Sequence, residues 1–413
     1  MVLYVAYIFV KRLGKVLPVL ELMLLIAGAQ WIIGALIEYA SPGLHWKYYM
    51  YVEQPTYMAF VVPAYTVFTV AVLAVIKKTA HIDFKIDALK DYSNYGVIIF
   101  VIGMVFDVFG SFLPGPLGFF GFILSNFKYI GAIILFYSES KTLKKLFYFT
   151  IAYLLLTSIL RGLFHDFLLW STFFFMFWAL KHKPSVPSIL GIFLAGALFA
   201  TTLQTVKAAY RLAVVGNFSG NKIELFGTLM LEAFLADETS TAQLDDGIDN
   251  NVRLNQGWII SAVMDQIPRN ETYLNGESIT EAVLASIFPR FLNPNKAKAG
   301  GQENFRKFTG LQISAGTSMG ISILGEAYGN FASFGGVIFM GVWGIFLGRI
   351  WLFLFKKIKG NRIFIAFIPL IFLQVIKAET ELVVVLNHLI KSMLIVLLFM
   401  WFAKHYLRWN FDK

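Results

Sequence analysis

The sequence holds no cysteine. That excludes disulfides, thiol nucleophiles and thiolate-bound metals, although it names no compartment. Charge is scarce as well. Only 15% of the residues are Asp, Glu, Lys or Arg, against about a quarter in soluble domains. The six histidines show no HExxH or other ligand spacing, so zinc is not expected. Neither a G-x-x-x-x-G-K-[ST] phosphate loop nor a G-x-S-x-G elbow occurs. The acidic run "LDDGIDNN" (244–251) lacks the alternating ligands and terminal Glu of a calcium loop. No metal and no cofactor are expected. No cleavable leader is expected either, because the first apolar stretch lacks a basic start and runs straight into Lys11 and Arg12.

What fills the chain is apolar. Hydrophobic residues make up 58%, mean hydropathy is +0.68, and 42 residues are Phe. This composition predicts an all-α polytopic integral membrane protein. About eleven apolar segments follow one another, near 2–11, 16–37, 58–76, 95–113, 117–137, 146–160, 167–181, 188–205, 332–355, 363–377 and 382–402. Each must be helical, since lipid offers the backbone no hydrogen-bond partner. The first is short for a span.

Every second loop is basic. Lys11, Arg12 and Lys15 follow the first segment, and Lys77, Lys78, Lys85 and Lys90 the third. Lys141, Lys144 and Lys145 follow the fifth, Lys181 and Lys183 the seventh. Lys356, Lys357, Lys359 and Arg362 follow the ninth, and Lys404, Arg408 and Lys413 close the chain. The positive-inside rule makes these loops cytoplasmic, with the N-terminus outside and the C-terminus inside. The net charge of +10 is then a topology signal that meets anionic membrane lipid. Nucleic-acid binding is not expected.

Three regions result: a transmembrane bundle over 1–205, a large extracytoplasmic loop over 206–331, and C-terminal spans over 332–413. The loop carries ten Lys or Arg against thirteen Asp or Glu, a net of −3. Its stretches 222–236, 255–267 and 278–292 have helical apolar spacing and predict short amphipathic helices against the outer membrane face. Ser278 and Glu281 form an S-x-x-E capping-box pattern.

Cations are unusual on an outer face. Arg161, with His165 and Asp166, lies at the outer end of the sixth segment, and Arg211 follows the eighth. Arg290, Lys296 and Arg306 lie in the basic, Pro- and Gly-broken stretch "IFPRFLNPNKAKAGGQENFRKF" (287–308). Lys377 opens "KAETE" at the outer end of the tenth segment, and His388 sits in the last span. Convergent guanidinium and ammonium groups suit a phosphate or pyrophosphate. Inside the spans, Asp107 and Lys128 are placed to pair across a hairpin.

"GTSMGISILGEAYGNFASFGGVIFMGVWGIFLG" (316–348) is the most specific stretch, rich in small residues that permit close helix approach. Its Gly-Glu-Ala-Tyr-x-Asn-Phe…Phe-Gly-Gly order, Gly325 to Gly336, resembles the segment entering a late transmembrane helix of O-antigen polymerases, the oligosaccharide repeat-unit polymerases. The layout is similar too, with one large external loop in the C-terminal half followed by two or three helices. The resemblance covers most of the chain as architecture and about a dozen residues as motif. It implies a glycosyltransferase of the bacterial cytoplasmic membrane that joins undecaprenyl-pyrophosphate-linked glycans on the outer face, alongside flippase and chain-length regulator proteins. The acceptor hydroxyl would attack the donor's anomeric carbon and expel polyprenyl pyrophosphate. That leaving group needs charge stabilisation, and the hydroxyl needs a base. Glu326 leads as the carboxylate, with His165 and Asp166, Glu379 and His388 as further candidates; for Glu326 a structural part is the alternative. A glycan ligase using the same donor and a lipid-linked glycan flippase or transporter are the competing readings.

Overall fold

The computed structural model of the chain describes all residues except 44–46, 78–85, 115–116, 163, 217, 236–253, 289–300, 315–317 and 412–413. The described residues are helical, with no strand beyond one isolated bridge between Leu13 and Val16. The first half contains α1 (Val2–Arg12), α2 (Val19–Gly28), α3 (Gly34–Ala40), α4 (Gln54–Ile76), α5 (Ser93–Phe109), α6 (Leu117–Ser125), α7 (Phe127–Tyr137), α8 (Lys141–Arg161), α9 (His165–His182) and α10 (Val186–Val215). The second contains α11 (Lys222–Leu235), α12 (Gly257–Arg269), α13 (Glu277–Ile287), α14 (Gln302–Thr309), α15 (Ser322–Gly360), α16 (Ile368–Phe372) and α17 (Leu382–His405).

Among the described residues, eight helical stretches are long and apolar enough to cross a membrane. This is the architecture of a polytopic membrane protein. Three of the eleven expected segments are not among the eight. Helix α1 has 11 residues, about 16 Å at 1.5 Å per residue, half a hydrocarbon core. Helix α9 spans 18 residues but carries Asp166 and Lys181. The segment 363–377 is no continuous helix: a 3₁₀ turn (Arg362–Phe367) leads into the five-residue α16, which starts around Pro369. Residues 363–373 are all buried, so this irregular backbone is enclosed by protein rather than lipid.

Small residues set the helix crossings. A Cβ on Gly103 of α5 would overlap the Lys128 backbone of α7, and one on Gly131 would come 2.5 Å from Phe100 N. That close approach brings Lys128 Nζ to Asp107 Oδ1 at 2.7 Å, while Tyr153 Oη donates to Asp107 Oδ2 at 2.5 Å. The expected hairpin pair therefore forms. In α15, Gly341, Gly344 and Gly348 meet Val67, Ala71 and Val75 of α4 at 2.6–2.9 Å from a notional Cβ. The glycine-rich stretch is thus a helix-packing face.

One end of the molecule gathers basic residues. Gly14 packs on Ala179 and Lys183. Lys181 Nζ donates to Phe136 O at 2.8 Å, and Lys90 pairs with Glu139 at 2.7 Å. Tyr95 stacks on Trp409 at 4.2 Å. These contacts join the ends of α1, α5, α7, α9 and α17.

The region expected as an outer loop begins later and ends earlier. Helix α10 continues to Val215, and α15 starts at Ser322, breaking at Ala332 where φ is +57. The three expected loop helices form as α11, α12 and α13. Helix α12 does not lie on a membrane surface. Its residues Gly257 to Met264 are buried, because the apolar run packs against α15 and α14. The capping box does not form either. Helix α13 starts after Gly276 at φ +93, and the Ser278 hydroxyl turns away to Glu326. The end of the basic stretch is helical: Phe305 and Phe308 of α14 share a buried face at i, i+3 spacing. Gly310 at φ +69 ends that helix.

Candidate functional site

The turn "KAETE" is a junction. Ala378 O accepts the Trp31 indole N–H at 3.3 Å. Glu379 O accepts the Ser322 N–H at 3.3 Å. Glu381, buried, accepts from Asn304 Nδ2 at 2.7 Å. Leu382 N–H, opening α17, donates to Glu326 Oε2 at 2.9 Å. A Cβ on Gly320 would overlap the Glu379 carbonyl, so only glycine lets residues 318–320 lie against this turn. Trp31 itself sits in a π-helical turn, Ala29–Ile33, between α2 and α3. Such turns often mark functional sites.

This junction walls a cavity of about 520 Å³. Its polar side carries His165, Lys207, Lys377 and Glu379, together with Gln30 and Gln204. Ile26, Leu168, Leu169 and Ile376 make the apolar side. His165 Nε2 lies 4.0 Å from Glu379 Oε1, and Lys377 Nζ lies 3.9 Å from Asp166 Oδ1. Partial burial, then the ammonium groups of Lys377 and Lys207, hold His165 below its ordinary pKa. His165 also opens α9, whose N-terminus has no side-chain cap. Uncapped first-turn N–H groups and the helix dipole favour an anion there. The side-chain oxygens of Gln30 and Gln204 are buried without a hydrogen-bond partner among the described residues. The arrangement can hold an anion between two ammonium groups and a helix end, beside an imidazole with a free proton-accepting form.

The expected residues separate into groups. His165 and Lys377 line the cavity, and Asp166 pairs with Lys377 at its edge. Arg161 and Arg211 neighbour one another without lining it. Gly162, at φ +65, carries the Arg211 stem against its Cα face, 3.2 Å from a notional Cβ. Arg161 acts electrostatically on Asp107 and Lys128. Arg306 is exposed on α14, away from the cavity. Arg290 and Lys296 lie outside the described residues. Glu326 is 3% exposed, and both its oxygens are engaged: Ser278 Oγ donates to Oε1 at 2.8 Å and Leu382 N to Oε2. Asn330 Nδ2 donates to Ser278 Oγ and to Glu326 O, each at 2.8 Å. Glu326 thus fastens α13, α15 and α17 together. His388 is buried, with Nε2 2.7 Å from Leu370 O and its ring against Phe119 and Phe122; it braces α17 on α6 and α16.

Sequence reasoning passed over Lys207, Gln30 and Gln204. Lys207 lies one helical turn before Arg211 in "KAAYR", a spacing that puts both on one side of α10. For the two glutamines no local signal exists, since only the fold turns them into the cavity. Compared with protein-family models, curated proteins and solved structures, the chain finds no match.

Proposed function

We propose that the protein is a membrane glycosyltransferase that polymerises polyprenyl-pyrophosphate-linked oligosaccharide repeat units on the outer face of the bacterial cytoplasmic membrane. The observation that carries this reading is the cavity lined by Lys207, Lys377 and His165, the first residue of α9. Lys207 and Lys377 bind the donor diphosphate and stabilise the charge that grows on it as the glycosidic C–O bond breaks. The acceptor hydroxyl attacks the anomeric carbon and gives its proton to His165, which burial and then the ammonium groups of Lys377 and Lys207 hold below its ordinary pKa. Glu379 steadies the imidazolium so formed, and Asp166 positions Lys377. The unpaired oxygens of Gln30 and Gln204 accept from sugar hydroxyls. The apolar side of the cavity suits the first isoprene units. Product is the lengthened glycan on the acceptor lipid, plus free polyprenyl pyrophosphate.

Membrane vesicles supplied only with lipid-linked repeat units, read as a ladder on a gel, test this directly. Wild-type protein lengthens the chains. Lys207→Ala and Lys377→Ala each slow ladder growth about 100-fold, the usual cost of losing one transition-state charge partner. No ladder from wild-type protein, or full ladders from both variants, refutes the proposal.

A further inference from the structure

A second cavity lies at the other end of α17. That helix has 24 residues, about 36 Å at 1.5 Å per residue; the first cavity is walled by the turn that precedes it and the second by its last turns. The second has a volume of about 240 Å³ and forms where α15 and α17 end. Lys357 and Lys404 line it with His405, and no carboxylate does so among the described residues. Asn361 also lines it, with a buried Oδ1 that has no hydrogen-bond partner among the described residues. Leu397, Met400 and Phe364 form an apolar wall beneath the cations. Trp401 at its edge is 52% exposed, next to exposed Phe402 and Tyr406, an aromatic grouping typical of the headgroup level.

Lysines in the last turn of a helix complement its dipole wherever they point. Here two from different helices face one cavity, above an apolar wall and beside an unpaired acceptor. A soluble phosphate would use only the cations. An amphiphile whose headgroup carries both an anionic phosphodiester and a hydroxyl donor uses every part. We propose that this cavity seats the phosphodiester headgroup of an anionic lipid, of which phosphatidylglycerol is the simplest, in the leaflet opposite the first cavity. The inference does not depend on the reaction proposed above.

The test uses the full chain in nanodiscs of phosphatidylcholine containing phosphatidylglycerol, with retained lipid counted by native mass spectrometry. Wild-type protein retains phosphatidylglycerol in preference to phosphatidylcholine. Replacing both cations, Lys357→Gln with Lys404→Gln, lowers that retention by about tenfold. A control pair on the same rim but outside the cavity, Lys356→Gln with Lys359→Gln, changes it by less than about twofold, and Lys357→Arg with Lys404→Arg preserves it. Inorganic phosphate does not displace the lipid. Equal losses from the two Gln pairs, no loss from either, or displacement by inorganic phosphate would each overturn the proposal.

Discussion

At the scale of single residues, the cavity and its surroundings divide chemistry from architecture. Glu326 was the leading carboxylate in the sequence, yet its environment is that of a fastener. Glu326→Ala leaves the Leu382 N–H and the Ser278 hydroxyl without their acceptor, at about 1–3 kcal/mol for each buried group. Thermal unfolding of the purified protein should fall clearly, and Ser278→Ala should lower it by less. Glu326→Gln keeps an acceptor and should retain most of both stability and ladder formation. A Gln variant that folds normally but makes no polymer would return Glu326 to the chemistry. His165 gives a pH signature. Its folded-state pKa lies below the ordinary value, so the unfolded chain takes up the proton first as pH falls through about 6.5. Stability contributed by neutral His165 is present above that pH and is lost on acidification. The melting temperature of wild type should therefore drop further between about pH 7.5 and pH 5 than that of His165→Asn. That Lys377 and His165 deserved notice was legible, because charge outside a span is conspicuous; that both line one cavity was not. For Glu326 the hydrogen bond from Ser278 was not legible, because the capping-like pattern in sequence gave no sign that Ser278 would turn to it.

At the scale of elements, close helix crossings carry the polar groups into place. Asp107 and Lys128 meet only because Gly103 and Gly131 let α5 and α7 touch. Gly103→Leu overpacks that contact, and a misfit of this kind costs about 1–3 kcal/mol or more. Asp107→Ala leaves an unpaired ammonium inside a span and should cost about 3–5 kcal/mol. Both effects are measured as loss of folded protein after detergent extraction, with Asp107→Asn intermediate. Wild-type yields from both variants would show that the crossing bears little weight. The helices themselves were readable from apolar length and spacing, including α11, α12 and α13. The interruptions were not. The π turn at Ala29–Ile33, the break at Ala332 and the 3₁₀ entry to α16 sit in runs whose composition is that of ordinary spans. Burial by surrounding helices permits them, and burial is not a local property.

At the scale of the whole molecule, alternating basic loops predicted two unlike ends, and the helix-end contacts gather the basic ones together. The natural absence of cysteine makes orientation measurable without altering the background. Glu271→Cys and Lys359→Cys, both at exposed positions, should react oppositely with a membrane-impermeant maleimide added to intact cells: Glu271→Cys is labelled, Lys359→Cys only after lysis. The reverse pattern would place the cavity lined by His165, Lys207 and Lys377 on the cytoplasmic side. Convergence across distant segments was the part least legible in sequence. Lys207 comes from within α10, His165 from the start of α9 and Lys377 from the turn before α17, and only packing chooses them over Arg161, Arg211 and Arg306. The most direct measurement is therefore the polymer ladder from lipid-linked repeat units with Lys207→Ala and Lys377→Ala beside Arg306→Ala. The cavity predicts that the two lysine variants lose the ladder while Arg306→Ala keeps it; ladders that survive both lysine changes would contradict it.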